Sequence, residues 1–121
     1  MMYIKDALVA HSQWLESNGE SGERADLRGA ILHEADLHDA DLQKADMNGA
    51  RMSVSDLMGS NLAGADLRNA DLWMADMKGA NLEGTDLRGV DLADVTGLTS
   101  GQLGQAVTDE KTKLPTSVAK T

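Results

Sequence analysis

The residues of this 121-residue chain that could do chemistry are its carboxylates, and their spacing explains why they are there. Asp26, Asp36, Asp41 and Asp46 are followed by Asp56, Asp66, Asp71, Asp76, Asp86 and Asp91, always separated by multiples of five. A catalytic carboxyl pair needs two groups set apart by distinct surroundings. A ladder of equivalent aspartates repeats one surrounding, so no acid–base couple stands out. His33 and His38, with Asp39 close by, could in principle chelate a metal. Two imidazoles without a third placed ligand define no site, and solvated histidines are the expectation. No Gly-rich phosphate loop precedes a lysine, and no Ser–His–Asp set rises above the repeat. The absence of cysteine excludes disulfides and thiolate metal sites. The chain is expected to catalyse nothing and to need no cofactor.

The elements that must position these carboxylates follow from the period. From Ala25-Asp26-Leu27-Arg28-Gly29 the sequence runs to Asp94 as fourteen tandem pentapeptides without insertion or deletion. On an α-helix five residues advance roughly 500°, so successive leucines land about 140° apart and form no stripe. In a straight strand an odd spacing sends them to alternate faces. A chain that turns a quarter circle after each pentapeptide brings Leu27, Leu32, Leu37 and Leu42 to a common axis. Four pentapeptides then close a square coil, and coils stack about 4.8 Å apart with parallel-sheet pairing. Composition agrees: 2% aromatic residues and no Phe suit a narrow tube filled by Leu, Met and Ala. The nonapeptide calcium solenoid and the hexapeptide acyltransferase helix are rivals, and both fail on the period.

The Ala-(Asp/Asn)-Leu-x-x units resemble those of the pentapeptide-repeat proteins over Ala25–Asp94. The resemblance implies an all-β solenoid, a right-handed quadrilateral β-helix, here of about 3.5–4 coils. It also implies that the central Leu and the preceding Ala point inward. Ile31 and Arg51 depart from Asp/Asn; Ser55, Ser60, Thr85 and Val90 depart from Ala; Met47, Met52 and Met77 replace Leu as flexible core fillers.

Both ends of such an array need polar-faced caps. In residues 1–24, Ile4, Leu8, His11 and Leu15 recur at helical spacing, which predicts an amphipathic helix over 3–17 with Trp14 and Leu15 as plugs. The repeat domain covers 25–97. In residues 98–121, Thr99 and Gln102 form a capping-box signature. A short helix from Ser100 would bury Leu103, Ala106 and Val107, Leu114-Pro115 would add a contact, and 116–121 would fray. This terminus also resembles that of small bacterial members of the family. No apolar run is long enough for a signal peptide or membrane span, which favours the cytoplasm and no membrane partner.

Residues twenty apart should be vertical neighbours, which sorts the surface into four faces named for the pentapeptides that begin at Ala25, Ala30, Ala35 and Ala40. Face 1 alternates Asp26, Asp46, Asp66 and Asp86 with Arg28, Arg68 and Arg88, predicting near-neutral solvated pairs. Face 3 carries Asp36, Asp39, Asp56 and Asp76 against Lys78 and is the most acidic. Face 4 is unremarkable. Face 2 holds Ile31, Val54, Trp73 and Met74 at outward positions, a candidate interaction patch. The competing reading is that the cap helix or the C-terminal tail covers it.

A small rigid scaffold for an unidentified protein partner, as a monomer or weak homodimer, is therefore the expected function. The alternative comes from the resemblance: some family members modulate DNA gyrase or topoisomerase as acidic DNA mimics, and this chain has a net charge of −9. A rod of three and a half coils spans only roughly 17 Å, about five base pairs, and arginines interrupt the charge. The acidic balance disfavours direct nucleic-acid binding.

Overall fold

Residues 4–118 are described in a computed structural model. Helix α1 spans Ile4–Glu16, helix α2 spans Ser100–Gln105, and a 3-10 turn covers Thr116–Val118. The chain between α1 and α2 winds as a solenoid held by parallel bridges between residues twenty apart: Asp26 with Asp46, Ile31 with Arg51, Asp36 with Asp56, Asp41 with Asn61, and onward to Asp76 with Thr96.

Most sides of a coil make the same set of bonds, the pair Asp71 and Asp91 on face 2 being an exception. Leu27 N–H donates to Asp46 O at 2.7 Å, Asp46 N–H returns to Ala25 O at 3.1 Å, and Gly29 N–H reaches Asn48 O at 3.0 Å. A turn then closes the corner, with Ala30 N–H donating to Leu27 O at 3.1 Å. The corner residue sits at positive φ, as at Gly29, Gly49, Gly59 and Gly64. A bend every five residues leaves no side long enough to be an extended strand. The β structure among the described residues therefore consists of single bridges joined by turns.

The interior is one aliphatic column. Leu37, Leu42, Met47, Met52, Leu57, Leu62, Leu67, Leu72, Met77, Leu82, Leu87 and Leu92 are fully buried, with small residues such as Ala45 and Ala65 between them. Among the polar residues at Ala positions, Ser60 Oγ donates to Leu57 O at 2.8 Å and Thr85 Oγ1 to Leu62 O at 2.7 Å. The buried Ser55 Oγ has no hydrogen-bond partner among the described residues.

The two ends are closed differently. On α1 the residues buried against the first coil are Ala7 and His11, whereas Trp14 and Leu15, the expected plugs, are only half-buried. The physical reason is polar: an open coil presents unpaired backbone groups, which an indole or a leucine cannot satisfy together. His11 does so with both ring nitrogens. Nδ1 accepts from Ala25 N–H at 2.9 Å, and Nε2 lies 2.7 Å from Gln43 O, a pairing met by the neutral ring carrying its proton on Nε2. Trp14 stacks on this imidazole at 5.7 Å. The helix ends at Glu16 rather than 17, and Tyr3, its expected start, lies outside the described residues. Gly22, at φ +73°, lets the linker cross α1, since a Cβ there would stand 2.3 Å from Ala10 O.

At the other end Thr99 and Gln102 form the capping box, and Leu103 is buried. The expected burial of Val107 fails: α2 stops at Gln105, and Val107 is 43% exposed. Instead Val107 bridges Asp86 and Lys113 bridges Asp91, offsets of 21 and 22 rather than 20. The chain thus rejoins the ladder over faces 1 and 2 after the helix. Pro115 is buried while Leu114 stays exposed, and Val118 packs against the core within the 3-10 turn Thr116–Val118, inside the stretch expected to fray. The rest of the expected tail, 119–121, lies outside the described residues.

Candidate functional site

Face 2 is distinguished first by its backbone. Its corner positions hold Glu34, Val54 and Met74 at φ 59°, 60° and 58°. The matching corners of the other faces hold glycine except at Asn69, Asp39 and Lys44. Only glycine adopts this conformation without steric cost, and a β-branched valine there is a clear outlier. A column of three large corner residues therefore carries strain that glycine would remove.

Two of these three strained positions, Val54 and Met74, belong to the apolar patch. Ile31 is 73% exposed, Trp73 57%, Val54 48% and Met74 46%. The structure brings Val54 and Met74 into vertical register one coil apart and sets Trp73 beside them. Neither α1 nor the C-terminal segment covers them among the described residues. Ile31 edges a groove of about 330 Å³ between α1 and the first coil, bordered also by Ile4 and Arg28. A notch of about 220 Å³ beside Trp73 is walled by Asp71, Asp91 and Asp94. The patch thus combines apolar side chains with an acidic margin and the cation Arg51.

The two histidines take different partners. On face 2, His33 Nδ1 meets Ser53 Oγ. That contact resembles a nucleophile with its base, but among the described residues no acid orients the far nitrogen of this exposed ring. On face 3, His38 Nδ1 bonds Asp36 Oδ1. One ligand atom each from Asp36, His38 and Asp56 falls within 4.8 Å of the others. The hydrogen bond to His38 lowers the Asp36 pKa, and Asp36 in turn raises that of His38, with Asp39 and Asp56 adding attraction. Of the four acidic residues named from sequence, Asp36, Asp56 and Asp76 stack one coil apart, each accepting the backbone N–H two residues on, and Asp39 lines the groove beside them. Sequence reasoning missed the Asp36–His38–Asp56 set because its spacing, two residues plus one coil, matches no short ligand motif.

Face 1 is closed upon itself. Arg28 Nη2 lies 2.8 Å from Asp26 Oδ2 and its Nε 3.6 Å from Asp46 Oδ2. Arg68 likewise spans Asp66 and Asp86 at 3.0 and 3.4 Å, and Arg88 pairs with Asp86 at 2.7 Å. The guanidinium beside Asp26 holds that carboxyl down at about 2. No helix among the described residues is long and apolar enough to cross a membrane.

Comparison with known proteins agrees with this architecture. The structure of a pentapeptide repeat protein from Nostoc superposes with a TM-score of 0.66 at 28% identity, covering 88% of this chain and 83% of that one. A pentapeptide repeat protein of the Arabidopsis thaliana thylakoid lumen gives a TM-score of 0.57 at 26% identity, over 75% of this chain and 55% of that one. Both imply a right-handed β-helix. No curated protein matches the sequence. The family described as pentapeptide repeats matches residues 23–57 and 55–94 in eight copies, more than half of the sequence. By that match, and by winding as those solved structures wind, the chain belongs to the pentapeptide repeat family.

Proposed function

We propose that this protein is a non-catalytic, cytoplasmic scaffold that recognises another protein through face 2. The β-helix of about 3.5–4 coils serves as the rigid support, with α1 and α2 as its end caps. The observation that carries the reading is the corner column Glu34–Val54–Met74, where large residues occupy positive φ although glycine fills most of the matching corners. Backbone strain retained beside an exposed tryptophan is the pattern of a surface kept for contact. The chain then acts as a monomer or weak homodimer, binding neither nucleic acid nor membrane.

The test is affinity capture from a native lysate with wild-type protein and Trp73→Asp. The side chain of Trp73 is exposed, so the variant should fold normally and lose the captured partner. Undiminished capture would remove face 2 from consideration. DNA mimicry is disfavoured because Arg28, Arg68 and Arg88 pair with the carboxylates of face 1 and break the charge. Inhibition of gyrase supercoiling by the purified protein would restore that reading.

A further inference from the structure

We propose that Asp36, His38 and Asp56 form a surface site for one divalent transition-metal cation of the zinc class. The coil pitch makes the site. The bridge between Asp36 and Asp56 stacks their carboxylates on adjacent layers, and His38, two residues on, directs its ring to the same side. The 4.8 Å spread of the three ligand atoms is close to what one ion requires. Bonds of about 2.0–2.2 Å to nitrogen and oxygen place ligands roughly 3–3.5 Å apart, within reach of small side-chain rotations. Asp36 and His38 are exposed and Asp56 half-buried, so such rotations are unobstructed.

An independent observation is that the same notch holds a cation twice elsewhere in the molecule. On face 1 stacked carboxylates flank Arg28, between Asp26 and Asp46, and Arg68, between Asp66 and Asp86. Two aspartates one coil apart, with a side chain two residues beyond the first, are thus a positive-charge receptor of this fold. Arginine fills it with its own permanent charge and has no lone pair to offer. At the face 3 notch the occupant is an imidazole, which can give up its Nδ1 proton and donate a lone pair instead.

One nitrogen and two carboxylate oxygens suit a borderline ion such as zinc. Calcium takes six to eight oxygens, and magnesium keeps most of its water, so neither fits this set. Binding breaks the hydrogen bond between His38 and Asp36: the Nδ1 proton leaves, and Nε2 carries the ring's one proton, so a neutral ring only changes tautomer while a charged ring releases one proton to solvent. Water completes the coordination, and the adjoining groove lined by Asp39, Met58 and Lys78 leaves that position open.

The site is tested by calorimetric titration of the full, untagged chain with zinc chloride at about pH 7.5, with zinc competing against the proton that Asp36 helps His38 to hold. One ion per chain is expected. His38→Ala and Asp56→Asn should each weaken binding roughly tenfold or more, while His33→Ala leaves it unchanged. Magnesium chloride should give no heat above dilution. No zinc binding by the wild type, binding that survives His38→Ala, or binding abolished by His33→Ala would each overturn the assignment. Unchanged circular dichroism of the variants separates loss of the site from loss of the fold.

Discussion

Faces 1 and 2 are built from the same pentapeptide turns and differ in what they do with them. Face 1 places Gly29, Gly49, Asn69 and Gly89 at its corners and ties its arginines to carboxylates of its own and the next coil. Face 2 places Glu34, Val54 and Met74 at the equivalent corners and leaves its apolar side chains in water. Both faces keep the same turns, but their pairing differs at one place: among the described residues face 2 has no bridge between Asp71 and Asp91, beside the notch at Trp73, whereas face 1 is paired from Asp26 through Asp86. Face 1 satisfies its charged groups internally and has little left to offer a partner. Face 2 holds corner residues at a conformation that glycine would adopt without cost, and leaves Val54, Trp73 and Met74 largely exposed. The difference separates a wall that supports the tube from a wall that presents groups outward.

Exchanging the corners is the largest way to break the comparison. Gly89 lies at φ +73° and a Cβ there would meet nothing, so Gly89→Val isolates backbone strain from clash. It should cost about 1–2 kcal/mol in urea unfolding. A neutral result would mean that the corners are not strained and that the face 2 column is unremarkable.

The reciprocal exchange is smaller. Val54→Gly relieves about 1–2 kcal/mol of left-handed strain and adds about 0.5–1 kcal/mol of glycine chain entropy, a net stabilisation of up to about 1.5 kcal/mol. The same variant should lower capture of the face 2 partner. Greater stability with weaker capture would show that the valine is retained for recognition, and lower stability would refute the strain assignment.

Acidification gives the smallest effect and acts on face 1. Arg28 depresses the Asp26 pKa from 3.8 to about 2, and Arg68 and Arg88 lower those of Asp66 and Asp86. A depressed folded pKa stabilises above the unfolded value, so this contribution is complete above about pH 4 and is lost as pH falls toward about 2. Urea midpoints measured across that window should decline, with a shallower decline in Arg28→Gln. An identical decline in that variant would mean that the Arg28 pair contributes nothing. Strain at the face 2 corners carries no charge and does not enter this window.

Much of the scaffold is legible without coordinates. The five-residue period alone puts Leu57 and Leu67 in the interior and stacks Asp36 beneath Asp56, because every unit meets the same neighbours one coil above and below. The capping box of Thr99 and Gln102 is legible too, since its partners lie within one helical turn. The candidate surface is half-legible: periodicity assigns Ile31, Val54, Trp73 and Met74 to one face, but says nothing of what covers that face.

What the sequence by itself determined is the architecture of the tube and the identity of its walls, because a short period repeats one local geometry. The tertiary structure decided everything that depends on unequal neighbours. It placed His11 at the open first coil, where backbone groups needed both a donor and an acceptor. It returned Val107 and Lys113 to the ladder after a helical insertion that breaks the twenty-residue count. It left the face 2 corners strained and exposed, and drew His38 between two stacked carboxylates while leaving His33 to Ser53. These arrangements arise where distant segments meet or where the repeat ends, and a period carries no information about either.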